Sequence, residues 1–113
     1  MSQITTHILD TTKGKPAEGV TITLHQEQSG HDWKEIAKGI TNADGRIPDL
    51  LPKEVLLQGG SYKMRFETKE YFDRDSIATF YPYVEIIFAI QNNDHYHIPL
   101  LLNPFGYSTY RGS

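Results

Sequence analysis

Tyr96-His97-Ile98-Pro99-Leu100-Leu101-Leu102-Asn103-Pro104-Phe105-Gly106-Tyr107-Ser108-Thr109-Tyr110 is the stretch that decides the fold class of this chain. Its first half has period two. Tyr96, Ile98, Leu100 and Leu102 share one face, and His97, Pro99 and Leu101 share the other, as in a β-strand. Asn103-Pro104-Phe105-Gly106 reads as a turn, and Tyr107 to Tyr110 as a final strand. The Tyr96 face suffices for a core. The opposite face pairs apolar groups with His97, and on the last strand Ser108 and Tyr110 share one face. Such a surface is too apolar for open water and too polar for a core. It suits a subunit interface or a ligand cleft.

The same period recurs upstream. Ile4 to Leu9 alternates loosely and ends at Asp10, with His7 on the face of Thr5 and Leu9. Val20, Ile22 and Leu24 alternate with Thr21, Thr23 and His25. Trp33 to Ile40 is a weaker third strand. Tyr62, Met64 and Phe66 form another, as do Val84, Ile86, Phe88 and Ile90. Thr12 to Pro16 and Asn42-Ala43-Asp44-Gly45 read as loop and turn, Asn92-Asn93-Asp94 as a further turn, and Pro48 to Gly60 as irregular chain. Thr68 to Asp75 is the one expected helix, short, with Thr68 as its N-cap. About seven or eight short strands with regular turns imply an all-β sandwich.

The chain has 113 residues, enough for one domain spanning 1–113. It is 38% hydrophobic and 12% aromatic, which suits a packed β-rich core. A net charge of -3 gives no basic stripe and no support for a nucleic-acid partner. Without cysteine, thiol catalysis and disulfides are excluded. Met1 to Thr5 carries no signal-like pattern, and no segment reaches the roughly 20 apolar residues of a membrane helix. A soluble cytoplasmic protein with no membrane partner is the default expectation.

Five histidines invite a metal, but His95-x-His97 is the only close pair and lacks a supporting carboxylate pattern, so none is expected. His25 and His31 lie in polar stretches and read as surface residues. His95 lies near a turn and reads as solvated. His97 is the strongest candidate, because Pro99 and Leu101 on its face argue for partial burial against an ordinary surface position. His7 stands evenly between a structural and a functional histidine. Arg46 after a tight turn is, on its own, a surface cation. Arg111 beside Tyr110 can grip a planar, oxygen-rich ligand with a fork of donors. Neither Ser108 nor Ser113 sits in a nucleophile-elbow pattern.

Thr6-His7-Ile8-Leu9-Asp10 with Gly14-Lys15-Pro16-Ala17, and the tail from Tyr96 through Thr109, resemble the transthyretin superfamily over essentially the whole chain. His7, Arg46, His97 and the terminal Tyr110-Arg111-Gly112-Ser113 resemble its enzymatic branch, the 5-hydroxyisourate hydrolases, and not its hormone carriers. The resemblance implies a transthyretin-like (prealbumin-like) sandwich assembled as a homotetramer, a dimer of dimers, with sites at the ends of a channel where dimers meet. His7, Leu9, His97, Pro99, Leu101, Ser108 and Tyr110 are expected to face that channel. It also implies urate catabolism: ring opening of 5-hydroxyisourate to 2-oxo-4-hydroxy-4-carboxy-5-ureidoimidazoline, without cofactor. His7, Arg46 and His97 are then the expected catalytic residues, and Tyr110, Arg111, Ser113 and Ser108 the expected substrate-binding residues. Two other classes stand beside this one. A small-ligand carrier of the transthyretin type would need the tail out of its channel. A purely structural sandwich would tolerate loss of His97 and Arg111.

Overall fold

A computed structural model describes residues 2–113; Met1, part of the stretch read as lacking a signal pattern, lies outside them. Among these residues eight strands and one α-helix follow in the order β1 (Ile4–Asp10), β2 (Lys15–Pro16), β3 (Thr21–Glu27), β4 (Trp33–Ile40), β5 (Gly60–Phe66), α1 (Thr68–Asp73), β6 (Val84–Ile90), β7 (Tyr96–Asn103) and β8 (Gly106–Thr109), with a short 3-10 turn at Ser29–His31 between β3 and β4. They form two four-stranded sheets, ordered β2-β1-β7-β8 and β4-β3-β5-β6. The expected sandwich is therefore present. Each alternating face does what its pattern predicts: Ile4, Ile8, Val20, Ile22, Leu24, Tyr62, Met64, Phe66, Ile98, Leu100 and Leu102 close one core. Burial of each such aliphatic or aromatic side chain contributes roughly 1.5–3 kcal/mol.

One pairing governs the site. The strands pair antiparallel except β1 and β7, which run parallel, with Thr5 opposite His97, His7 opposite Pro99 and Leu9 opposite Leu101. On β7 and β8, Leu101 faces Ser108. The expected histidine-bearing face is thus one continuous surface of the first sheet.

Four local expectations change. The Thr12–Pro16 loop contains the two-residue β2, paired with Leu9 and Asp10. Asp10 explains the hairpin. Its buried carboxylate accepts hydrogen bonds from the Thr12 and Lys13 amides and from the Tyr71 hydroxyl, which offset the cost of burying the group. Helix α1 ends at Asp73, two residues early, and Ser76 just beyond it has φ of 56°. Thr68 is not the N-cap. Glu67 holds that position, and the Thr68 hydroxyl is buried with no hydrogen-bond partner. The last strand stops at Thr109, one residue short of Tyr110.

Candidate active site

The Asn42–Arg46 turn is built by its own side chain. The Asn42 carboxamide oxygen accepts from the Asp44 and Arg46 amides at 2.9 and 3.2 Å, and the Gly45 amide donates to the Asn42 carbonyl at 2.9 Å. Gly45 takes φ of +72°, a left-handed conformation that favours glycine. A Cβ there would also stand 2.5 Å from the Ile8 carbonyl oxygen. The close approach lets the Ile8 amide donate to the Gly45 carbonyl at 2.9 Å, docking the turn on β1. Arg46 is thereby held against His7, with Nη2 3.4 Å from Nδ1. A guanidinium can only donate, so this hydrogen bond forms in the neutral tautomer whose Nδ1 presents its lone pair.

His97 is held from two sides. The Thr5 hydroxyl lies 2.8 Å from its Nδ1, a contact created by the parallel β1–β7 register. Behind the ring runs the tail. The Gly112 amide donates to the His97 carbonyl at 2.9 Å, and a Cβ on Gly112 would meet His97 Cδ2 at 2.5 Å and Pro99 Cγ at 3.2 Å. Only a residue without a side chain lets the imidazole lie flat against the backbone.

Thr5, Thr6, Arg46, Ile47, Pro48, His95, His97 and Ser113 line one cleft of about 360 Å³. Its electrostatics favour neutral imidazoles. Burial lowers the His97 pKa from its ordinary 6.5, and Arg46, His95 and His7 push the same way, opposed by a hydrogen bond from the ring to the Thr5 backbone. His7 is lowered by burial and then by Arg46, opposed by a backbone hydrogen bond and the charge of Asp44. A half-buried site with two uncharged imidazoles and a fixed cation can accept a proton and stabilise a developing anion. Among the described residues, no three His, Asp or Glu side chains are grouped to hold a metal ion.

The expected residues divide. Arg46, His97 and Ser113 line the cleft together, and His7 joins them through its contact with Arg46. Tyr110 and Arg111 line a second cavity, of about 390 Å³, which they share with His97, Tyr96 and Phe88. Arg111 lies 4.5 Å over the Tyr96 ring. For Arg111 strand parity is the reason: with Gly112 opposite His97, Arg111 falls on the core-facing side, whereas Tyr110 stays on the outer face that carries His97. Tyr110 is 59% exposed, and Ser108 is exposed further along β8 beside Leu101.

Thr5 and His95 are added to the site. His95 is exposed, as expected of a solvated residue, yet its Nε2 lies 2.8 Å from the same Thr5 hydroxyl. Period two already places Thr5 with His7 and His95 with His97. The missing signal is the register that sets the two strands side by side.

The sequence profile of the HIUase/Transthyretin family matches residues 4–112. A 5-hydroxyisourate hydrolase of Mus musculus is 44% identical over 115 residues, covering 99% of this chain and 96% of that protein. The structure of Klebsiella pneumoniae 5-hydroxyisourate hydrolase superposes with a TM-score of 0.85 at 40% identity, covering 97% of this chain and 98% of the other. Sea bream transthyretin in complex with thyroxine superposes with a TM-score of 0.91 at 32% identity, covering 97% and 94%. Shape is thus shared with a thyroxine-bound transthyretin and a hydrolase alike, and the side chains at the cleft must separate them. The chain belongs to the HIUase/Transthyretin family.

Proposed function

We propose that this chain is a 5-hydroxyisourate hydrolase that opens the six-membered ring of its substrate at a cyclic amide, a step of urate breakdown. The observation that carries the reading is the convergence of Arg46, His97 and Ser113 on one cleft, with His7 against the guanidinium. His97 takes a proton from water as the oxygen adds to the ring carbonyl carbon. Arg46, held by the docked turn, faces the negative charge that grows on the carbonyl oxygen. Collapse breaks the carbon–nitrogen bond, and His97 returns its proton to the departing nitrogen. His7 orients the guanidinium. Ser113 closes the cleft beside His97. No step calls for a cofactor.

One domain spanning the chain carries this chemistry, in a cytoplasmic homotetramer whose sites lie where dimers meet. There a neighbouring subunit covers the outer face of the first sheet, and Tyr110, Arg111 and Ser108 reach the substrate across the joint. Among the described residues no helix is long and apolar enough to cross a membrane.

The test generates 5-hydroxyisourate from urate with urate oxidase and follows its ultraviolet decay. Micromolar protein should accelerate the decay, and His97→Gln should lose on the order of 100-fold or more in kcat/KM. Because both imidazoles bind protons more weakly than an ordinary histidine, their basic forms persist below the usual value. The acid limb of kcat/KM should therefore lie below pH 6.5. No acceleration at all would reject the enzyme reading in favour of a carrier.

A further inference from the structure

Arg46 is exposed at the end of a tight turn, where a long side chain keeps much of its rotamer freedom. Buried neighbours hold the turn at both flanks. On one side stands Thr41. Its hydroxyl donates to the Ala17 carbonyl at 2.8 Å and accepts from the Val20 amide at 2.9 Å. Its own amide donates to the Val20 carbonyl at 3.0 Å, and its carbonyl accepts from the Gly19 amide at 2.9 Å. On the other side stands Ile47, the next residue after Arg46, which is held by packing.

Gly39 supplies the seat. It lies on β4 opposite Ile22, a fully buried residue, so a side chain at 39 would point to the core beside it. Ile47 occupies that space instead. A Cβ on Gly39 would stand 3.0 Å from both Cδ1 and Cγ2 of Ile47 and 3.6 Å from Cγ1. The φ of Gly39 is not in the left-handed region, so alanine meets no backbone strain there and collides with Ile47 alone. Ile47 packs half-buried against the core and, with Arg46 and Pro48, lines the cleft. Adjacent Cα atoms are about 3.8 Å apart across a rigid peptide, so a shift of Ile47 passes into the Arg46 backbone. The contact of Arg46 Nη2 with His7 Nδ1, at 3.4 Å, has little slack to absorb it.

We propose that Gly39 is a positioning residue of the reaction: its bare Cα seats Ile47, and the seated Ile47 fixes where the Arg46 guanidinium stands over the cleft. The inference rests on the hydrolase reading above. Gly39 lies outside the cleft lining and acts through Ile47.

Three variants test it. Gly39→Ala overfills the seat, Ile47→Val underfills it, and the double variant relieves one of the two 3.0 Å contacts, because valine lacks Cδ1. Ultraviolet decay of 5-hydroxyisourate gives kcat and KM, and NMR of the His7 imidazole nitrogens reports the guanidinium beside them. A misplacement of one ångström can cost roughly 100-fold, so the few tenths that Ile47 must yield should lower kcat about 5-fold in Gly39→Ala. KM should change little, since Arg46 acts on charge that grows in the transition state. The His7 signals should shift. Ile47→Val should lower kcat about 2-fold. The double variant should recover part of the Gly39→Ala loss, so that the two changes do not multiply.

Normal kcat in Gly39→Ala overturns the proposal, whatever happens to the thermal midpoint, and leaves Gly39 a packing residue alone. So does a double variant in which the two losses multiply. If Gly39→Ala does not fold, Ile47→Val decides: unaltered kcat and unmoved His7 signals overturn the proposal. If the unaltered protein fails to accelerate the decay, the hydrolase reading fails by itself. The His7 signals still read the seat, and their constancy in Gly39→Ala would overturn the coupling of Gly39 to Arg46 too.

Discussion

At the scale of single residues, the least reactive member of the site makes the sharpest claim. Gly112 has no side chain, and the His97 ring occupies the space one would take. Its backbone angles are ordinary, so replacement acts through sterics alone. Gly112→Ala should displace the imidazole by a fraction of an ångström to an ångström, which can cost about 100-fold in rate. Ultraviolet decay kinetics would show the fall in kcat, while the thermal midpoint should hardly move, because the change sits at the chain's end. Wild-type turnover in this variant would mean that the tail does not position the base. Arg111 illustrates the opposite case: a residue with evident chemistry that strand parity turns toward Tyr96 and away from the His97 cleft.

At the scale of elements, α1 shows how local propensity yields to packing. Threonine is a good capping residue, and Thr68 opens the α-helix. The helix instead begins one residue earlier in register, with Glu67 as cap, and carries the Thr68 hydroxyl into the interior without a partner. An unsatisfied buried hydroxyl is unfavourable by roughly 1–3 kcal/mol. Thr68→Val keeps the shape and removes the unpaired group, so it should raise stability by about 1 kcal/mol. A urea titration checks this, and a lower midpoint would show that the hydroxyl has a partner after all. The Asn42–Arg46 turn behaves differently. Its Asn, Asp and Gly predicted a turn, and the turn forms from those groups.

At the scale of the whole molecule, the outer face of the first sheet is what assembly must explain. Leu9 and Leu101 lie half-buried on it next to His7 and His97, while Tyr110 remains 59% exposed. The β6 and β8 edges are free in the single chain, with Ile87 62% and Tyr107 42% exposed, and free apolar edges invite pairing with another copy. In the proposed tetramer the sheet face joins dimers. Leu101→Glu places a charge in that joint, so light scattering should find dimers, and turnover should fall with the lost subunit contact. A persistent tetramer would place the joint elsewhere.

Period-two alternation determined the sandwich and its core without help, because the side-chain direction of a strand is a local property: Val20, Ile22 and Leu24 had only one face to bury. Local sequence also marked His97 and left His7 evenly balanced, whereas Arg46, Ser113 and the grouping of all four entered by resemblance and not by derivation. What only the tertiary structure decided is the partnership of residues far apart in the chain. The parallel register of β1 on β7 puts Thr5 between His95 and His97, and the antiparallel return of the tail puts Gly112 behind His97 and Arg111 on the core-facing side. Register is a pairing of distant backbones, and a one-residue slip would turn each of those side chains to the opposite face.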